Sequence, residues 1–419
     1  MANIDNPSGN WLRRFKNAKF SPLEYPLAFF VLVYLVLEMY YLYARHGSHF
    51  TDLTLYYGAA SKILDGQVPY RDFQIEYPLL ALIPVVIPEF LNRIFSGSLN
   101  GYILWFAIQN LALGLSAGYL IAEIEKKNHR IIAYKYLGLL LLSLPIFLFR
   151  FDPFPAFLTA LTLYYIAKKP FISGSAMMIS IATKLYALVM LPVLGLYYLF
   201  NRLYRKLFVH AAGFTFILLL IIITFFWIGN NAIDDFLSNH LLRGIHLESV
   251  AGGILLLFQK AGMLDIQIIH NYGAFHLESA WSGYALQIVK FLTPVAFVAM
   301  LCFIIRVFMR ETKRSGKVAM QTLSQVLLLQ TLLFILLNKV FSPQYLVWLL
   351  PLIPFCNKKS YLLFAFALML TIIIFPGQYY GLIEMKLLMI VILNLRNFLL
   401  VWLLVEVVRD VTPNPLGGG

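Results

Sequence analysis

The stretch Leu207 to Ile228, LFVHAAGFTFILLLIIITFFWI, decides the fold, because no Asp, Glu, Lys or Arg interrupts it. Coiled at about 1.5 Å per residue, such a run covers the ~30 Å hydrocarbon core of a bilayer. Runs of the same kind recur from Pro26 almost to the C-terminus. The 419 residues are 60% hydrophobic and only 13% charged, with mean hydropathy +0.77, where a soluble domain carries roughly a quarter charged residues. The expected class is an all-α polytopic membrane protein. The first run, Pro26–Ala44, is long and lacks a small-residue cleavage site, so it reads as a retained span rather than a signal peptide.

The net charge of +13 does not point to nucleic acid once its placement is seen. Basic residues cluster at Arg13, Arg14, Lys16 and Lys19; at Lys126, Lys127 and Arg130; at Lys168 and Lys169; at Arg202, Arg205 and Lys206; at Arg310, Lys313, Arg314 and Lys317; and at Lys358 and Lys359. Each cluster lies in a short link between apolar runs, as the positive-inside rule expects of cytoplasmic loops. Holding all of them on one side gives spans at 26–44, 102–122, 131–149, 153–167, 171–183, 185–200, 207–228, 285–308, 318–337, 345–355, 361–375 and 385–407. That is roughly twelve crossings, several of them short, with both termini inside. Residues 1–25 and 408–419 are then cytoplasmic tails around a single transmembrane domain at 26–407, with outer loops at about 46–76 and 229–284. The segment 77–95 carries Pro78, Pro84 and Pro88 and is expected to re-enter or lie at the interface. Two cysteines, Cys302 and Cys356, support neither a disulfide framework nor a thiolate metal site. The string His-Leu-Glu-Ser occurs at 246–249 and 276–279, but the flanks differ and no structural repeat is implied.

Ionisable residues gather in the outer loops and at outer helix ends. Leu53, Tyr56, Tyr57, Ala60, Ile63 and Leu64 recur at helical spacing, and Asp65-Gly66 supplies a stop. A short amphipathic helix is therefore expected on the outer surface, with Asp52 at its start. A carboxylate there caps the helix, and the same position keeps it ionised and ready to accept a proton. Arg150-Phe151-Asp152-Pro153 closes one span and opens the next; Pro153 suits the first helical position, whereas Arg150 has no evident structural purpose. Lys184 interrupts an apolar stretch, where snorkelling to the interface competes with a functional role. His240, Arg243 and Glu248 share a second outer segment, and Asn338-Lys339 to Gln344-Tyr345 links two apolar runs with more polar residues than a turn requires. His46, His49 and Asp52 are spaced like metal ligands, yet no second cluster completes a shell. No cofactor and no obligatory metal are expected.

These residues resemble the C-type membrane glycosyltransferases, and family 87 in particular. The resembling pieces are Asp52 with Tyr57, Ala60 and Gly66-x-x-x-Tyr70; Glu76-Tyr77-Pro78; Arg150-Phe151-Asp152; Lys184-Leu185-Tyr186; Arg243-Gly244 with Glu248-Ser249; and Lys339 to Tyr345. Where family members often have Tyr-Pro-Pro, this chain has Tyr77-Pro78-Leu79. The resemblance implies a helical bundle with an outward cavity and an inverting transferase in the cell (inner) membrane. It would move a single mannose-like hexose from a polyprenyl-phosphate donor to a lipid or glycan acceptor, without a nucleotide sugar. It implies Asp52 as catalytic base, Arg150, Lys184, His240, Arg243 and Lys339 around the donor phosphate, and Tyr57, Glu76, Tyr77, Asp152, Glu248, Gln344 and Tyr345 around sugar and acceptor. A lipid flippase would instead place charges near the midplane of paired repeats; a lipid-linked glycan polymerase or ligase would move oligosaccharides.

Overall fold

A computed structural model describes residues 51–95, 97–228, 243–271 and 273–412. The expected span at 26–44, the first basic cluster, His240 and both tails beyond those limits lie outside the described residues. The helices are α1 (Thr51–Leu64), α2 (Leu82–Phe95), α3 (Leu99–Ala122), α4 (His129–Phe147), α5 (Pro153–Tyr165), α6 (Pro170–Thr183), α7 (Leu191–Phe200), α8 (Tyr204–Ile228), α9 (Val250–Lys260), α10 (Ser282–Ser315), α11 (Met320–Leu337), α12 (Lys358–Ile372), α13 (Tyr379–Ile383) and α14 (Leu387–Val411). Local chemistry sets many of their limits. Ser98, Ser249 and Asn357 accept backbone N–H groups at the starts of α3, α9 and α12, Pro153 and Pro170 open α5 and α6, and Gly316 stops α10 at φ 74°.

Among the described residues, seven helices are long and apolar enough to cross a membrane: Leu99–Ala122, Lys126–Phe147, Tyr204–Ile228, Ser282–Ser315, Met320–Leu337, Lys358–Gly377 and Leu387–Val411. The protein is an integral, multi-pass membrane protein. Of the roughly twelve expected crossings, several of them short, the one at 26–44 lies outside the described residues, and fewer than twelve helices of full length stand among the described residues. Residues 153–165, 170–183 and 185–200 are helical but short, and 345–355 is not a regular span. It forms 3-10 turns at Pro343–Leu349 and Ile353–Phe355, because Pro343, Pro351 and Pro354 deny it a continuous hydrogen-bond ladder.

One end of the bundle collects the basic links. Lys135 Nζ donates to the carbonyls of Pro354 (3.3 Å) and Cys356 (2.7 Å). Asn201 Oδ1 accepts the Val318 N–H at 2.9 Å, Lys206 Nζ donates to the Ala167 carbonyl at 2.8 Å, and Lys359 pairs with Glu406 at 2.6 Å. Close to this end, α6 and α8 touch backbone to backbone. A Cβ on Gly174 would overlap the His210 carbonyl oxygen, and one on Gly213 would overlap that of Phe171. Small residues allow such approach where lipid offers no hydrophobic drive between helices. Gly213→Ala is therefore expected to force α6 and α8 apart at a cost of about 1–3 kcal/mol, read as a lower unfolding midpoint in detergent; an unchanged midpoint would show that the backbones yield freely.

The opposite end holds the loops and α2. Helix α2 is 14 residues long, rising about 21 Å, too short to cross. It wears its polarity inside out. Glu89 and Asn92 are buried, while Ile83, Ile87, Phe90 and Ile94 face outward. Asn92 Nδ2 donates to Glu89 (2.8 Å) and to the Ser98 carbonyl (2.9 Å), and Arg93 ties Glu89 to Asp65 of the α1 stop.

The expectation of purely helical secondary structure needs one addition. Within the 229–284 loop, β1 (Ile245–His246), β2 (Gln267–Asn271) and β3 (Ala274–Glu278) form an antiparallel sheet in the order β1-β3-β2. The duplicated His-Leu-Glu-Ser strings meet in it, His246 opposite His276, as cross-strand partners rather than as repeated modules.

Candidate active site

Helix α1 buries Leu53, Tyr56 and Ala60, the face the spacing predicts, and Gly66 closes it at φ 87°. That rotation sets Asp52, in the first helical turn, against the link between α4 and α5, where its carboxylate forms an ion pair with Arg150. The purpose missing for Arg150 in the sequence is thus found. Its guanidinium also lies 5.7 Å from the ring centroid of Phe375. Burial lowers Arg150 to about 10, so it remains a cation at neutral pH.

Two residues on, Asp152 occupies the N-cap position of α5 but its side chain does not cap. Buried to 1% exposure, the carboxylate accepts from Lys184 Nζ at 2.7 Å and from the Trp348 indole N–H at 2.6 Å. Lys184 sits where α6 ends in extended backbone. Its ammonium is ringed by Phe151 (4.9 Å), Trp348 (5.3 Å) and Tyr345 (5.4 Å). Trp348 stacks at 3.9 Å on Tyr186 and at 4.0 Å on Tyr345. Lys184 is therefore held rather than snorkelling, and it feels the charges of both Arg150 and Arg243.

Arg243 pairs with Glu76 at 3.6 Å, and Lys339 Nζ donates to the Arg243 carbonyl at 2.7 Å. Tyr77 packs edge-on against Tyr56 (5.5 Å) and Phe151 (5.3 Å), joining Glu76 to the Asp152 group. Gln344 is half-buried at the start of the turn that carries Tyr345. The structure does not bring Tyr57 to this group: its hydroxyl donates to the Gly97 carbonyl at 2.9 Å, and its ring lies on Tyr102. The adjacent Tyr56 takes the inward place. His240 lies outside the described residues.

Glu248 is buried beside Arg396 of α14, at 3.6 Å. Burial pushes its carboxyl up to about 7, and the Arg396 charge pulls it only part of the way back. A carboxyl raised by folding contributes stability at acidic pH that is lost as pH climbs through that value. The unfolding midpoint is expected to fall between about pH 5 and 8, and that decline is expected to flatten in Glu248→Gln. An equal slope in both proteins would assign the titration elsewhere.

The sequence did not single out Trp348 or Arg396. Trp348 follows Tyr345 at i+3, a helical-face spacing that aromatic composition concealed. Arg396 stands in the middle of the apolar Leu387–Val411 span, where an ionisable group is by default a functional candidate. Among the described residues no group of three His, Cys, Asp or Glu side chains is arranged to hold a metal ion.

Apolar helices with a partly buried cluster of acids, cations and stacked aromatic rings at one end define a membrane-embedded protein with polar chemistry at its helix ends. The model of glycosyltransferase family 87 matches residues 75–336, and the chain belongs to that family. It is a glycosyltransferase. No curated protein matches the chain. The matched region contains Glu76, Tyr77, Arg150, Asp152, Lys184, Arg243 and Glu248, whereas Asp52, Lys339, Tyr345, Trp348 and Arg396 lie outside it.

Proposed function

We propose that this glycosyltransferase moves a single hexose, mannose favoured, from a polyprenyl-phosphate donor to a lipid or glycan acceptor, with inversion at the anomeric carbon. The observation that carries the reading is the placement of Asp52 beside Arg150, next to the Asp152–Lys184 pair and within the electrostatic reach of Arg243. The acceptor oxygen attacks the anomeric carbon and passes its proton to Asp52. The bond from that carbon to the phosphate oxygen breaks, and its electron pair leaves with the lipid phosphate. A singly charged diester thereby becomes a more highly charged monoester, and the new charge needs cations already in place. Arg150, Lys184, Arg243 and Lys339 are suited to meet it. Of the Tyr186–Trp348–Tyr345 stack, Tyr186 and Trp348 are buried and back Tyr345, whose half-buried ring is the one suited to meet the sugar.

Gathering of basic links at the far end of the bundle supports an extracytoplasmic site in the cell (inner) membrane. The direct test supplies purified protein with a short-chain polyprenyl phosphomannose or, in parallel, with a nucleotide-activated mannose. Transfer of one sugar from the lipid phosphate alone is expected. Transfer from the nucleotide, or none from the lipid phosphate, would sink the proposal.

A further inference from the structure

Arg396 is fully buried in a helix otherwise apolar enough to span the bilayer. Its Nη2 donates to the backbone carbonyl of Glu248 at 2.7 Å, its Nη1 lies 3.6 Å from the Glu248 carboxylate, and its guanidinium covers the Phe341 ring at 4.0 Å. Nε and Nη1 make no hydrogen bond among the described residues. For stability alone this is a poor arrangement, since a well-packed apolar residue usually serves a buried site as well or better than an incompletely bonded charge. What Arg396 does accomplish is geometric. It grips two loops at once, the segment 243–249 through Glu248 and the segment 338–345 through Phe341.

Those loops are already joined to each other. The His246 N–H donates to the Lys339 carbonyl at 2.9 Å, and Lys339 Nζ returns a bond to the Arg243 carbonyl at 2.7 Å. From Phe341 the contacts run on through Tyr345, at 6.3 Å and 16° between ring planes, to Trp348 and the Asp152 carboxylate. We infer that Arg396 is a positioning residue: by clamping the Glu248 backbone and the Phe341 ring to α14, it sets the placement of Arg243 and Lys339 for the donor phosphate. The inference rests on the donor-phosphate role proposed above for those two cations.

The test measures donor KM and kcat with a short-chain polyprenyl phosphomannose on monodisperse protein. Glu248→Gln is the background, because adding Arg396→Met to it removes the second charge without stranding the first. The added substitution is expected to raise donor KM about tenfold with a smaller change in kcat, since displaced binding groups act first on ground-state affinity. Phe341→Leu, which leaves both charges in place, is expected to move KM in the same direction and serves if the double variant does not fold. A purely structural clamp would lower the unfolding midpoint and leave the KM of the folded protein alone; unchanged KM in either folded variant overturns the inference. Arg243→Ala is run alongside. If it raises donor KM while the Arg396 and Phe341 variants do not, the clamp fails and the phosphate site stands. If Arg243→Ala and Lys339→Ala also leave KM untouched, the phosphate assignment fails, and the clamp with it.

Discussion

Asp52→Asn is expected to lower turnover by ~10²–10⁴-fold, the usual cost of losing a general base, while the protein inserts and binds donor. Asn keeps the size of Asp, and its side-chain oxygen can still accept from the Arg150 guanidinium. What is lost is the negative charge that holds Arg150 and that, in the proposed mechanism, receives the acceptor proton. Donor binding and single-turnover transfer must therefore be measured separately. Normal binding with little transfer assigns Asp52 to chemistry. Near-normal transfer would reduce it to the partner of Arg150 and turn attention to Asp152 and Glu248.

The Asp152–Lys184 pair carries the second large effect. Asp152 is 1% exposed, so Lys184→Ala leaves a carboxylate with the Trp348 N–H as its remaining partner in the pairings above. Breaking a buried pair from one side typically costs about 3–5 kcal/mol, much more than replacing both members together. Lys184→Ala and Asp152→Ala are each expected to lower the unfolding midpoint sharply, and the double variant by less than the two combined. Additive losses would mean that the charges are not coupled. Lys184→Ala is also expected to weaken donor binding, which Asp152→Ala leaves less affected.

Much of this was legible from local pattern. The helix at 51–64, its buried face and its stop at Asp65-Gly66 follow from spacing and a glycine. The long spans follow from apolar run length, and Arg150, Asp152 and Lys184 stood out because charges beside apolar helix ends need a reason. The rest depends on contacts that no local window contains. Asp152 and Trp348 are 196 residues apart and Arg396 and the Glu248 carbonyl 148 apart, so neither partnership leaves a mark near either residue. Tyr56 and Tyr57 are equivalent in composition, and only the rotation of α1 against Tyr77 and Tyr102 separates them. The span expected at 345–355 rests on hydrophobicity, which does not register that Pro343 just before it and Pro351 and Pro354 within it leave a chain of tight turns. The small sheet escaped because β1 is two residues long and takes its register from β3.

Helix α2 reverses the arithmetic by which surface substitutions are judged. Its outward Ile83, Ile87, Phe90 and Ile94 have hydrocarbon as their preferred solvent, so a Lys or Glu there, harmless on the outside of a water-soluble protein, would be costly wherever that face meets acyl chains. At Glu89 and Asn92 the reverse holds: a leucine, welcome in most interiors, would erase the bonds that fasten α2 to Ser61 and Ser98 and the one within α2 that holds Arg93 beside Asp65. A detergent that left this face uncovered would expose a row of large side chains for which water is a poor solvent.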